Sequence, residues 1–435
     1  QVAIQVADMG TNTCSSSSTP CSVTTENLVL TVVDGAPPTL SSITTIDGPT
    51  RNTQSSFAQF LVTFSKDVTS VDVADFAATV APISGAVSGT PAVTAVSGSG
   101  ATRTVTVSLA GVSASNGTLG LRLASGASVV DLTGNALTAS TAGSSQSFAI
   151  DTVSPAVSTI TFTSVNGQPS VGRPSDLLKV GDTAVISVTF DDTVIVSTGG
   201  GVPTLSLTTG STNTKAIYSG GSNSSALTFI YTVAKGDQAA TLNYVDVNSL
   251  TLNGGSITDA AGNPAVLTLP GALGDLAYGA SIAVDGTPPK LASVSTLDGT
   301  SLGTGSSAAR FLLAFSEDVT GVDISDFVVS TTGVSGTATI STISGSGSSY
   351  TATVSLVGIS GATGTIGLWL ASNTSIADSA GNAVEALALS TNQTYTVDTV
   401  APGAPTVTLT STDSGTSGDR VTNVAPVLGV TAESG

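Results

Sequence analysis

The sequence predicts an all-β protein, a tandem array of antiparallel β-sandwich domains. Three observations predict it. Gly, Ser, Thr and Val dominate the 435 residues, the palette of short strands joined by tight turns. Apolar residues alternate with Thr and Ser at period two. The chain also repeats itself over long distances, and such internal repeats govern every other reading of a sequence.

Taken in order, the chain opens directly in a strand pattern, "QVAIQVAD", with no signal peptide, so the expectation is a processed or excerpted piece of a longer protein. Residues 1–35 read as the last hairpin of a preceding domain. They hold both cysteines, Cys14 and Cys21, on either side of a Ser-rich loop. Redox or metal chemistry would need a CxxC spacing or a histidine, and the chain has no histidine. The plainer reading is a disulfide across a hairpin tip, which implies an oxidising, extracytoplasmic setting.

The first full unit spans 36–152 and the third spans 287–399. "TLSSITTIDGPT" at 39 aligns with "KLASVSTLDGTS" at 290, and "FLVTFSKDVTSVDVADF" at 60 with "FLLAFSEDVTGVDISDF" at 311. Further on, "VTVSLAGVSASNGTLGLRLAS" at 105 aligns with "ATVSLVGISGATGTIGLWLAS" at 352, and "VVDLTGNAL" at 129 with "IADSAGNAV" at 376. The offset is 251 residues early and 247 late, so the copies differ by a short indel. The middle unit, 153–286, is a divergent cousin. It keeps "ISVTFDDTV", "ITDAAGNPA" and "AVDGTPP" but carries Gly-rich insertions of the kind that fall in surface loops. Asp followed by Pro marks the junctions, as short stiff connectors. Residues 400–435 read as the start of a further unit.

Within the third unit, Tyr350, Ala352, Val354 and Leu356 point one way and Thr351, Thr353 and Ser355 the other. About seven such strands fall between 290 and 398, the pattern of an Ig-like sandwich. Phe64, Phe190 and Phe315, one per unit, are the expected core anchors, followed by Phe76 and Phe327. Trp369 aligns with Arg122, so it is expected to face solvent rather than the core.

Charge excludes several classes of function. Lys and Arg number 11 against 29 Asp and Glu, a formal charge of −18, which leaves no basic stripe for nucleic acid or an anionic membrane. No apolar run approaches the roughly 18 residues of a membrane helix. Without histidine, the Ser-His-Asp and Cys-His arrangements cannot be built. Paired carboxylates suit glycoside hydrolysis, but here the acids recur in turns along the chain, and an active site is not usually triplicated. The expectation is no enzymatic activity. Gly-rich strings near 97–102 lack the Lys and helix of a phosphate loop and read as hairpin turns. The sequons at Asn116, Asn223, Asn373 and Asn392 are expected by chance in so Ser- and Thr-rich a chain.

The recurring acids are the candidate sites. Ca²⁺ takes six to eight oxygens from carboxylates, amides, carbonyls and water. An Asp-x-x-Gly-Asn turn offers several of these, and a junction Asp adds another. Three clusters are therefore expected: Asp131, Asn135 and Asp151; Asp259, Asn263 and Asp285; Asp378, Asn382 and Asp398. A fourth set follows the Phe anchors: Asp67, Asp72 and Asp75, echoed by Asp318, Asp323 and Asp326. Asp34 is paired with Asp8 as an incomplete site. The alternative for all of them is structural, because Asp and Asn are the commonest turn residues and cap local backbone groups.

The combination of "FSEDVTGVDISDF", "IADSAGNAV" and "YTVDTVAP" resembles the tandem bacterial Ig-like domains of very large surface adhesins and biofilm proteins. The resemblance covers roughly residues 36–402. The opening segment resembles the final hairpin of a cadherin-like domain, and the closing segment resembles the first strands of a related extender unit. This resemblance implies a non-enzymatic stalk on a secreted or cell-anchored protein, stiffened by calcium at the domain junctions. The implied partners are neighbouring domains of the same chain, further copies of itself, and other surface proteins or glycans. The alternatives are a subunit of an extracellular filament, sheath or surface layer, and a spacer beside a secreted hydrolase.

Overall fold

The computed structural model describes residues 34–46, 48, 50–51, 55–84, 89–112, 116–138, 146–169, 176–211, 214–271, 276, 281–303, 305–360, 363–385, 393–409 and 427–432. Of the hairpin expected at 1–35, residues 1–33, with Cys14, Cys21 and Asp8, lie outside them. The chain parts into two compact units, 1–153 and 154–435. The first holds one sandwich. The second holds two, each with its own hydrophobic core.

In the first sandwich, one sheet runs Leu40–Thr45, Phe57–Phe64, Thr102–Ser108 and Ala92–Ser97 in spatial order. The other runs Thr50–Arg51, Phe148–Asp151, Asn116–Leu123 and Phe76–Ser84. The third sandwich repeats this topology. Its sheets are Leu291–Thr296, Ala308–Phe315, Ser349–Ser355 and Thr339–Ser346, facing Ser301–Leu302, Tyr395–Asp398, Thr363–Leu370 and Phe327–Thr332. Among its described residues there are eight strands, where the sequence suggests about seven. The extra one arises because the first strand breaks and changes sheets. Leu291–Thr296 pairs antiparallel with Ala308–Phe315, and the chain then crosses over to place Ser301–Leu302 parallel to Tyr395–Asp398. The first sandwich makes the same switch, with Thr50–Arg51 parallel to Phe148–Asp151.

The second sandwich differs in its sheets, and of the Gly-rich insertion 218–225 only the hairpin turn lies outside its strands. Its larger sheet runs Gln168–Pro169, Val157–Val165, Thr183–Ser197, Ser224–Thr232, Lys215–Gly220, Thr204–Ser206 and Leu250–Thr251 in order, with Ser256–Thr258 also on Thr183–Ser197. Its smaller sheet is Asp176–Leu178, Ile282–Asp285 and Gln238–Ala239, the first two again parallel.

Period-two alternation puts one face of each strand into the core. Ala352 and Val354 are fully buried and Leu356 nearly so, while Tyr350 is half-buried at the sandwich end. Phe64, Phe190, Phe315, Phe76 and Phe327 are all buried. Each such ring contributes about 1.5–3 kcal/mol by leaving water. A second aromatic pair is less visible from the sequence. Phe60 meets Phe148 edge-to-face at 5.0 Å, and at the same place in the third sandwich Phe311 meets Tyr395 at 5.1 Å. Tyr395 uses its hydroxyl as a corner pin, accepting from the Leu297 and Asp298 amides and donating to the Arg310 carbonyl. Phe148 has no hydroxyl, and the Arg51 guanidinium lies 4.2 Å over its ring. Trp369 is 41 % exposed on the outer face, opposite Val328 in the neighbouring strand. Its indole lies beside Gly367, which has no side chain to stand in the way.

Candidate metal centre

The Asp-x-x-Gly-Asn turns fold alike in all three sandwiches. Asp131 Oδ1 accepts from the Asn135 amide at 2.9 Å, Asp259 Oδ1 from Asn263 at 2.8 Å and Asp378 Oδ1 from Asn382 at 2.8 Å. In each, the Asn side-chain amide donates back to the other carboxylate oxygen, Oδ2. The turn is thus a closed hydrogen-bonded ring, which is why Asp and Asn are required at this spacing. Gly381, with φ +89°, supplies the left-handed step that only Gly takes without strain.

The Asn also reaches outside its turn. Asn382 Nδ2 donates to the Asp285 carbonyl at 2.8 Å, and Asn135 Nδ2 donates to the Asp34 carbonyl. This corrects the expected grouping. The first and third turns meet the Asp at the junction leading into their sandwich, not the Asp at the exit. Asp378 and Asn382 lie with Asp285, and Asp131 and Asn135 lie with Asp34. Asp398, expected beside Asp378, is instead paired with Thr363, and its Oδ1 accepts from the Val400 amide. Asp151, expected beside Asp131, likewise accepts from Val153 in its own connector. The reason is strand direction. After the turn the chain runs one more strand along the sandwich, at about 3.3 Å per residue, and carries the closing Asp to the other end. Asp285, grouped with Asp259 and Asn263 on sequence, therefore belongs with the next turn.

The fourth set is spent on local structure. Asp72 and Asp323 cap 3₁₀ turns, and Asp75 and Asp326 return the bond to the cap amides at 2.8 Å. The other oxygens of Asp75 and Asp326 hold the Ser128 and Ser375 amides at 2.6 and 2.7 Å. Asp67 and Asp318 lie apart from these caps, against hairpin turns. A Cβ on Gly347 would come within 3.0 Å of Asp318 Oδ1.

Among the described residues, one trio of acidic side chains brings its ligand atoms within 4.8 Å of one another: Asp285, Glu317 and Asp378. Asp285 ends the second sandwich, while Glu317 and Asp378 belong to the third. Asp378 is buried and the other two are half-buried. Burial, with the facing Asp285 and Asp378 carboxylates, pushes the Glu317 carboxyl up from its ordinary value. Sequence reasoning did not single out Glu317. Its signal was a charge reversal between copies, Lys66 in "FSKDV" against Glu317 in "FSEDV".

At that equivalent place in the first sandwich, Lys66 Nζ lies 2.8 Å from Asp34 Oδ2 and 3.6 Å from Asp131 Oδ2, and it also donates to the Ala36 carbonyl. The Asp34 pairing holds the lysine above its usual pKa. Asp131 is held well below the carboxylate range, chiefly by the Asn135 side chain.

The third-sandwich site fits a hard cation. Three carboxylates offer oxygen donors only, with no thiolate or imidazole, the donor set of calcium rather than zinc. The Asn382 Oδ1 beside this trio accepts from the Val180 amide of the second sandwich at 2.9 Å. The two sandwiches meet here through Lys235 and Glu385 as well, a mostly exposed ion pair.

No protein-family model matches the chain, and no curated protein does. Solved structures do. The Escherichia coli adhesin FdeC aligns at 12 % identity over 84 % of this chain and 99 % of that one, with a TM-score of 0.27. Domains 1–6 of the surface layer protein SbsC align at 14 % identity over 86 % and 56 %, TM-score 0.18. Invasin, a bacterial integrin-binding protein, aligns at 11 % identity over 84 % and 61 %, TM-score 0.24. At these values the likeness adds nothing to the β-sandwich architecture that the strands themselves establish. Among the described residues, no helix is long and apolar enough to cross a membrane.

Proposed function

We propose that this chain is a non-enzymatic spacer segment of a large extracellular bacterial surface protein, and that a calcium-class cation stiffens its junction between the second and third sandwiches. The observation that carries the proposal is the convergence at Asp285. There the Asn382 amide bridges both sandwiches, and three carboxylates face one another. A spacer needs neighbouring domains held in a fixed relation. The repeated acids support this reading over catalysis, because their oxygens are occupied by backbone N–H groups in turns and caps.

The test is thermal unfolding of the full chain in calcium and in EGTA. Calcium at about a hundred times its dissociation constant would stabilise the folded state by roughly 2.7 kcal/mol, and Glu317→Gln would shrink the shift. Identical melting curves would remove the cation from the proposal.

The assembly reading has one observation of its own. Phe327–Thr332 is an edge strand without a charge, a Pro or a register shift, whereas its counterpart Phe76–Ser84 contains Pro82 and a bulge. Unguarded edges pair laterally. Electron microscopy of the purified protein separates the two readings: isolated rods support the spacer, and a regular lattice supports assembly.

A further inference from the structure

The two related sandwiches close the same corner with opposite charges. Asp34 and Asp131 are the repeat counterparts of Asp285 and Asp378, and Lys66 is the counterpart of Glu317. In the first sandwich the two aspartates hold an ammonium nitrogen at 2.8 and 3.6 Å. In the third, the same two positions are joined by a third carboxylate, with all three within 4.8 Å. Several bonds are shared, although Thr133, whose hydroxyl donates to the Asp34 carbonyl and to Asp131 Oδ1, is Ala380 in the third sandwich. Asp34 Oδ1 accepts from Ala36 and Asp285 Oδ1 from Thr287, both two residues on. Asn135 and Asn382 donate to the Asp34 and Asp285 carbonyls. Among the three charged positions of the corner, only 66/317 changes sign.

Charge balance tells what the variable position does. Two carboxylates and an ammonium leave a net charge of −1. Three carboxylates alone carry −3, and a divalent cation among them restores −1. A fixed side-chain cation and a diffusible one are thus electrostatic equivalents at this corner.

We propose that position 66/317 sets the cation dependence of each sandwich: Lys66 acts as a built-in counter-ion that makes the first corner independent of divalent cations, and Glu317 makes the third corner require one. The proposal rests on the cation reading of the Asp285, Glu317 and Asp378 cluster. It adds that the chain encodes, by a single residue, which corners respond to calcium and which do not. The ligand class is a hard divalent cation taking carboxylate oxygens.

Hydrogen exchange of the full chain, in calcium chloride and in EGTA, tests it turn by turn. In the wild type, the amides of residues 378–382 should exchange about tenfold or more slowly with calcium, and those of 131–135 should not change. Lys66→Glu should make 131–135 exchange fast in EGTA and slow again in calcium. Lys66→Met should leave 131–135 fast in both. Glu317→Lys should make 378–382 slow in both.

The failures are distinguishable. If 378–382 responds to calcium but Lys66→Glu confers no response on 131–135, the inference is overturned and the cation reading stands. A wild-type 131–135 that responds to calcium also overturns the inference alone. If wild-type 378–382 is unresponsive, the cation reading fails and takes the calcium half of the inference with it. Lys66→Met then decides the remaining half, and unchanged protection at 131–135 overturns it.

Discussion

Asn382 accepts the Val180 amide N–H on its Oδ1 at 2.9 Å, a bond between residues 202 apart that ties the second sandwich to the third. The same side chain donates to the Asp285 carbonyl and the Asp378 carboxylate at 2.8 Å. One buried amide, 3 % exposed, thus satisfies a turn, a connector and a neighbouring sandwich. Asn382→Ala would leave the Val180 N–H and the Asp285 carbonyl without it; Val180 is exposed and Asp285 half-buried, so water can replace the partner and the cost is about 1 kcal/mol per bond. The expected outcome is fast hydrogen exchange at Val180 with little change at Val188 or Phe229 in the core. Retained protection at Val180 would show that the tie lies elsewhere.

Arg103 and Tyr350 occupy equivalent places and do one job with different chemistry. Arg103 donates to the Val68 carbonyl at 2.6 Å and to Gly100 and Thr102 beside it. Tyr350 donates to the Val319 carbonyl at 2.9 Å. Tyr350→Phe should destabilise the third sandwich by about 1 kcal/mol, since it removes one hydrogen bond and keeps the ring against Phe315. Among replacements of Arg103, Tyr should cost least. Denaturant unfolding of Arg103→Tyr beside Arg103→Met checks this ordering.

Asp237 is buried in the second sandwich and accepts from the Tyr231 hydroxyl at 2.9 Å, the Ala234 amide at 3.0 Å and the Thr214 hydroxyl at 2.8 Å. Burial and this carboxylate push the Tyr231 phenol well above its ordinary 10. A raised folded-state value means the neutral phenol stabilises the fold at every pH below about 10, and that this contribution is lost as pH rises beyond it. Tyr231→Phe should flatten the alkaline fall in melting temperature. An unchanged alkaline limb would contradict the assignment.

Asp298 and Arg310 give the acid counterpart. The Arg310 guanidinium donates to both carboxylate oxygens and holds Asp298 below its ordinary 3.8. A depressed folded-state value means the contribution is present above 3.8 and is lost as pH falls below it. The pair is partly exposed, so the effect is small and screened by salt. Asp298→Asn should blunt the low-pH decline in stability slightly at low ionic strength and not at all in 1 M salt. A difference that persists in salt would refute a screened surface pair.

What the sequence made legible was local. Alternation at Tyr350, Ala352, Val354 and Leu356 exposed the strand, and repetition exposed Phe64, Phe190 and Phe315, because side chains of a strand report their own face at period two. The Asp-x-x-Gly-Asn turn was visible for the same reason. The partner of that turn was not. Asp398 stands far nearer to Asp378 along the chain than Asp285 does, so proximity in sequence pointed to the wrong partner, and only the direction of the final strand decides which meets it. Glu317 was hidden because one residue carries no periodic signal. Its neighbours Asp285 and Asp378 come from two different sandwiches, and only the folded junction brings all three together.

The parallel pairing of the first and last strands has a mechanical consequence. In each sandwich a two- or three-residue piece of the entering chain runs alongside the departing strand: Thr50–Arg51 with Phe148–Asp151, Asp176–Leu178 with Ile282–Asp285, and Ser301–Leu302 with Tyr395–Asp398. Strands that run the same way are pulled past one another, not peeled apart, when the two ends of the segment are drawn in opposite directions. Tension is then shared among their backbone hydrogen bonds, which must yield together. The sequence changes sheets early in each repeat, and that detour places the grip where a stretched chain meets it first. Force spectroscopy would read it as a resistance that falls when Leu302 is replaced by Pro.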